Sequence, residues 1–175
     1  AHVFGAPGTW DKGKQALSDF LTNKVGIAPG SFLIENASGL HNVNKVSVRH
    51  VIQLLEYIYT RPRLRIEFLN SLAVSGGTGT LEDRMQTPPS YGVVRGKTGT
   101  LSIASALSAY VINPDGEVIL FSIITNNYQR GITSVLEVQD AIGNLLSSTR
   151  LVSTHPQKKT AIAIKEAPGK SPKKN

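Results

Sequence analysis

Apolar residues recur at helical spacing through the first third of the chain and change to strand-like runs further on. Residues 9–25 read as a helix: Thr9 can cap it, Asp11 lies in its first turn, and Trp10, Leu17, Phe20 and Leu21 share one face before Gly26. Residues 31–35 form a short apolar strand, and the Asn- and Gly-containing stretch 36–44 is turn-rich. Ser47 caps a second helix through Tyr59, with Val48, Val51, Ile52, Leu55 and Ile58 at helical spacing. Pro62 breaks that helix, and residues 63–72 give another short one. Gly76, Gly77 and Gly79 mark one loop, and Pro88-Pro89 marks another.

The period then shifts. Residues 93–100, 105–112 and 117–125 are strand candidates rich in Val, Ile and Tyr, and Asn113-Pro114-Asp115-Gly116 joins the last two as a tight hairpin. Ser134 with Glu137 predicts a capping box for a closing helix whose face is Val135, Val138, Ile142, Leu145 and Leu146. Beyond Arg150 periodicity fades into Pro, Lys and Gly. The expected fold class is α+β, an antiparallel sheet with flanking helices, in one domain over residues 1–149 followed by a basic, flexible tail over 150–175.

Composition narrows the function classes. Hydrophobic residues make up 40% of the chain and charged residues 18%, enough apolar content for a core. No run approaches the roughly 20 apolar residues of a membrane helix, so no membrane span is expected. Zero cysteines exclude thiolate metal sites, disulfides and a Cys nucleophile. The net charge of +7 invites a nucleic-acid reading, but seven Lys/Arg against one acid fall in residues 150–175, which leaves the rest nearly neutral. No nucleic-acid partner is expected. Four scattered histidines give no metal spacing: His2, His41, His50 and His155 are read as structural or solvated, and no metal or other cofactor is expected. Trp10, Phe20, Tyr57 and Tyr59 are read as core or interface residues.

The densest chemical signal is Gly96-Lys97-Thr98-Gly99-Thr100. A phosphate-binding loop would need a glycine where Tyr91 stands and a helix after Thr98, whereas the residues that follow lead into a hairpin. The alternative places Lys-Thr-Gly on a strand at the rim of a serine acyl-transfer site, the third element of the set Ser-x-x-Lys, Ser-x-Asn, Lys-Thr-Gly. There the ammonium and hydroxyl face a substrate carboxylate. Each residue also has a plainer reading: Lys97 as a solvated strand lysine, Thr98 and Thr100 as β-formers, Gly99 as the mark of a bulge.

The flanking strings decide between these. Pro7-Gly-Thr-Trp10, Ser38-Gly39-Leu40, the loop Ser75-Gly-Gly-Thr-Gly-Thr-Leu81 and the hairpin after Lys-Thr-Gly occur in one order. In that order the chain, from about Pro7 to Thr149, resembles the C-terminal half of the D-alanyl-D-alanine carboxypeptidase/endopeptidase family of penicillin-binding proteins. The resemblance implies part of the serine penicillin-recognising (β-lactamase/transpeptidase-like) fold, acting on the D-Ala-D-Ala or cross-linked stem peptides of peptidoglycan, acylated by β-lactams and located in the periplasm or otherwise outside the cytoplasm. It implies catalytic roles for Lys97 and Thr100 and substrate-binding roles for Thr98 and Gly99.

Two motifs of the set are not matched in place. Ser-x-x-Lys occurs only as Ser171-Pro-Lys-Lys174 in the tail, and Ser-x-Asn does not occur. The expected partner is therefore an N-terminal companion segment bearing both motifs. The other readings are a non-catalytic wall-peptide-binding scaffold of the same fold and an unrelated nucleotide-binding protein. His41 and Asn42 stand where the family usually has Ser and often Arg, a departure bearing on stem-peptide side-chain preference.

Overall fold

The computed structural model describes residues 4–40, 43–129 and 131–150. The tail beyond Arg150, His2, His41, Asn42 and His155 lie outside the described residues. Helix α1 (Trp10–Phe20) runs into a π-helical turn, Leu21–Val25, that stops at Gly26 in the left-handed region (φ 85°). Thr9 caps α1 as expected, its hydroxyl accepting from the Lys12 amide at 3.2 Å. Helix α2 (Val48–Tyr59) starts at Ser47, and here a histidine completes the capping box: the His50 amide donates to Ser47 Oγ while Ser47 N donates to His50 Nδ1. Helix α3 (Pro62–Ser71) opens with proline in its first turn, where the missing N–H costs nothing.

Four antiparallel strands follow in sequential order: β1 (Ala73–Val74), β2 (Val94–Thr100), β3 (Ala104–Ile112) and β4 (Val118–Asn126). The β3–β4 hairpin turns as its residues dictate. The Asn113 side-chain oxygen accepts from the Asp115 and Glu117 amides, and Gly116 takes a positive φ of 77°. Alternation sorts the sheet into two faces. Val94, Leu107, Ala109, Val111 and Phe121 form a core with Leu81, Met85 and, from the closing helix, Ile142 and Leu146. Tyr110, Val118 and Leu120 point the other way, into a second core with Leu55 and Val51 of α2 and Phe68 of α3. The Tyr110 hydroxyl donates to the Leu55 carbonyl at 2.8 Å, and its ring stacks on Tyr59.

Four expectations need correction. Residues 31–35 form no strand: a single bridge joins Leu33 to Lys45, and the Glu35 and Asn36 amides instead donate to the Asn44 side chain. The closing helix, α4 (Ile132–Ser148), begins before Ser134, at a Gly131 cap with no side-chain bond, so the Ser134–Glu137 capping box does not form. Its buried face is also rotated from the apolar stripe, to Val135, Gln139, Gly143 and Ser147, with Val138 57% and Leu145 63% exposed. Two tertiary contacts set this face: a Cβ at Gly143 would stand 2.6 Å from Sδ of the loop residue Met85, and Gln139 is held by Arg84 and Ser105. Of the two readings of Trp10, core or interface, the core one fails: it is 76% exposed.

Candidate functional site at the edge of β2

Gly96 to Thr100 lies wholly within β2 and leads into the hairpin to β3, with no helix after Thr98. A phosphate nest needs that helix N-terminus, so the nucleotide reading fails on geometry. The ladder to β3 is continuous through Lys97↔Ser108, Thr98↔Leu107, Gly99↔Ala106 and Thr100↔Ser105, so Gly99 marks no bulge.

The parity of that ladder fixes where the backbone groups point. Leu101 N donates to Ala104 O and Ile112 N to Val93 O, which makes the odd-numbered β2 residues the hydrogen-bonded partners of β3. The N–H and C=O groups of Thr98 and Thr100 therefore point away from β3, to the outer edge of β2. Strand β1 pairs with β2 only at Arg95 and Gly96, so among the described residues the edge at Thr98 and Thr100 carries no strand. The Lys97 ammonium sits on that edge and donates to the Thr98 carbonyl at 2.6 Å. Its side chain is exposed, as is Gly99, above which a Cβ would meet nothing within 4 Å.

The edge borders a cleft of about 710 Å³ whose walls include Lys97, Thr98, Gly99 and Thr100. The cleft brings these together with Ser38, Gly39 and Leu40, some 60 positions earlier in the chain, and with Thr80 and Arg84. Lys97 to Thr100 and Ser38-Gly39-Leu40 are legible as motifs in the sequence; Thr80 is legible only as part of the loop string 75–81, and Arg84 not at all. Thr80 stands in the 3-10 turn Gly79–Leu81, and its hydroxyl accepts from that of Thr98 at 2.7 Å. The one hint was an echo: Thr78-Gly79-Thr80-Leu81 repeats Thr98-Gly99-Thr100-Leu101.

Beneath the far end of the site a polar chain crosses the α4-side core. Arg84 pairs with Asp140 at 2.6 Å and donates to the Gln139 side-chain oxygen, while Gln139 Nε2 donates to Ser105 Oγ at 3.1 Å. Gln139 is fully buried, yet both ends of its amide are satisfied. Because Ser105 is paired with Thr100, this chain braces the strand end that carries Thr100. The loop before β2 is braced separately: Ser75 Oγ donates to Ser90 O and accepts from Val94 N, and Gly76 (φ 65°) leaves no room for a side chain, with Tyr91 Cδ2 at 2.5 Å from any Cβ. No group of three or more His, Cys, Asp or Glu among the described residues could hold a metal.

Comparison with known proteins agrees with this architecture. The profile of the D-Ala-D-Ala carboxypeptidase 3 (S13) family matches residues 1–149. The chain belongs to that family. It is 37% identical over 140 residues to a D-alanyl-D-alanine carboxypeptidase of Actinomadura sp. (strain R39), covering 77% of this chain and 25% of that protein. It is 28% identical over 132 residues to D-alanyl-D-alanine carboxypeptidase DacB of Haemophilus influenzae, covering 74% of this chain and 27% of that one. In three dimensions it superposes on penicillin binding protein 4 from Haemophilus influenzae with a TM-score of 0.74 at 24% identity, over 82% of this chain and 33% of that structure. A predatory peptidoglycan endopeptidase from Bdellovibrio bacteriovorus gives a TM-score of 0.59 at 15% identity, over 85% and 41% of the two chains. The S13 chain described here thus spans about a quarter of the length of its curated relatives.

Proposed function

We propose that this chain is the part of a serine-type D,D-carboxypeptidase/endopeptidase that binds the substrate's C-terminal end and completes the oxyanion site, working outside the cytoplasm on peptidoglycan stem peptides. The observation that carries the reading is the bare edge of β2 with the Lys97 ammonium lying on it. An extended peptide can add to such an edge, taking its backbone bonds from the strand and its specificity from what flanks it. Set antiparallel to β2, the substrate places its scissile carbonyl by the Thr100 N–H and its terminal carboxylate by Lys97 and the hydroxyls of Thr98 and Thr100. Gly99 leaves room for close approach.

The nucleophile belongs to a companion segment bearing Ser-x-x-Lys and Ser-x-Asn. Its serine oxygen attacks the penultimate D-Ala carbonyl, and the oxyanion forms against the Thr100 N–H and the serine's own N–H. Collapse breaks the amide C–N bond and protonates the leaving amine; water then hydrolyses the ester. Penicillins follow the same first half and stay attached. Support for the companion comes from the uncovered apolar surface: Trp10, Val138 and Leu145 are exposed, and the outer edge of β4 pairs with no strand among the described residues. A fluorescent penicillin tests the reading. Covalent label on the protein purified with its Ser-x-x-Lys segment is expected; its absence would leave a wall-peptide-binding scaffold instead.

A further inference from the structure

The slot along β2 does not end where a terminal D-alanine would. Its Gly96 end is closed on one side by Ala73 of β1, opposite Gly96, and is flanked there by a second lobe of about 370 Å³. Asn70, Ser71, Thr78 and Thr80 line this lobe together with Gly96 and Lys97. Thr80 and Lys97 line both spaces, so the lobe adjoins the main cleft across these two side chains. The lobe wall mixes the polar side chains of Asn70, Ser71, Thr78 and Thr80 with Leu72 and Ala73 and carries no acid; Lys97 is its one charged residue.

Orientation gives the lobe its meaning. A substrate antiparallel to β2 runs its leaving end from Thr100 past Thr98 towards Gly96. Whatever lies beyond the carboxylate-bearing carbon of the leaving residue then enters the lobe. A terminal D-alanine carries only a methyl there. The residue released from a cross-link carries a polar limb leading to a second peptide.

The geometry points to this lobe as a leaving-group subsite for the branched, polar amino acid released when a peptide cross-link is cleaved. The inference rests on the carboxypeptidase/endopeptidase reading above and adds to it the feature that lets the site accept a leaving group larger than D-alanine. The chemistry is unchanged: the amide C–N bond breaks, the acyl group passes to the serine oxygen, and the proton goes to the departing amine. The carboxylate stays on Lys97 and the hydroxyls of Thr98 and Thr100, while the polar limb takes its hydrogen bonds from Thr78 and Thr80.

The test compares two substrates in the protein that carries its nucleophile segment, with penicillin acylation as the measure of an intact site. One substrate is a linear stem pentapeptide ending in D-Ala-D-Ala, the other a cross-linked stem-peptide dimer. Asn70→Trp fills the lobe from the exposed end of α3 and is expected to lower the dimer-to-pentapeptide ratio of kcat/KM by about tenfold or more. Asn70→Ala removes bulk and should keep that ratio within about threefold, which separates obstruction from general damage to α3. An Asn70→Trp protein that acylates penicillin with an unchanged ratio overturns the subsite, as does an equal fall on both substrates. A parent protein that never acylates overturns the underlying reading and the subsite with it.

Discussion

Two glycines of β2 sit three residues apart and should respond oppositely to the same methyl group. At Gly96 an added Cβ would come within 2.9 Å of Ala109 Cβ, 3.0 Å of Leu107 Cδ1 and 3.1 Å of the Ser108 carbonyl. Two of these are fixed by the β3 ladder and cannot swing away, so Gly96→Ala is overpacking against backbone and should cost about 1–3 kcal/mol. At Gly99 the same Cβ meets nothing within 4 Å, and the residue has no positive φ to protect. There alanine should be neutral or stabilise by about 0.5 kcal/mol, because glycine in a strand interior gives up more backbone entropy. If Gly99 exists for close approach of substrate, however, Gly99→Ala should slow penicillin acylation by about tenfold or more while leaving Tm unchanged or raised. The assay is a melt and an acylation time course on both variants, in the protein that holds its nucleophile segment. Gly99→Ala acylating at the parental rate would refute the close-approach role, and Gly96→Ala melting like the parent would refute the packing argument.

Lys97→Ala should lower the acylation rate by about two to three orders of magnitude, the scale of one electrostatic contact to the reacting end, whereas Thr100→Ala should cost much less because its N–H survives; stopped-flow acylation distinguishes them. Burial, with a smaller contribution from Tyr59, pushes the Tyr110 hydroxyl up to about 12. Since the unfolded pKa is about 10, the neutral form's contribution is intact below pH 10 and is lost as pH rises from about 10 to 12. The parent's stability should therefore fall across that window more steeply than that of Tyr110→Phe, which pH-dependent urea melts would reveal. Expressed without a companion, the described chain should self-associate through its exposed apolar surface, and a monodisperse monomer with a sharp cooperative melt in sedimentation and calorimetry would count against incompleteness.

The elements that the sequence announced are those whose determinants are local. Thr9, Ser47 and Pro62 start helices because a hydroxyl or a fixed φ acts within one turn, and Asn113 to Gly116 makes its hairpin with its own side chains. Where the structure departs, a partner elsewhere decides. Residues 31–35 have strand composition but only Lys45 to pair with, and Asn44 takes the amides that a neighbouring strand would need. In α4 the apolar stripe pointed at Val138 and Leu145, but contact with Met85 demands Gly143 and the polar chain from Arg84 demands Gln139. Periodicity cannot see either. The same holds for the site: Lys97 to Thr100 is legible as a string, yet its meeting with Leu40 and Thr80 is a product of topology.

Among the described residues the sheet leaves two edges open, and their chemistry suits them to different tasks on the proposed reading. The outer edge of β4 is nine residues long and runs Val-Ile-Leu-Phe-Ser-Ile-Ile-Thr-Asn, an apolar edge that a folded protein normally covers. The edge of β2 is bare only around Thr98 and Thr100, and there the side chains are an ammonium, two hydroxyls and a hydrogen. A permanent neighbour strand gains little from such side chains, since its stability comes from apolar cross-strand pairs. A short polar ligand gains from every one of them. Backbone bonds are worth about 0.5–1.5 kcal/mol each, too little to hold a dipeptide end, and the cation and hydroxyls supply what the edge alone lacks. On the proposed function, β4 would be where the fold is completed and β2 where substrate comes and goes.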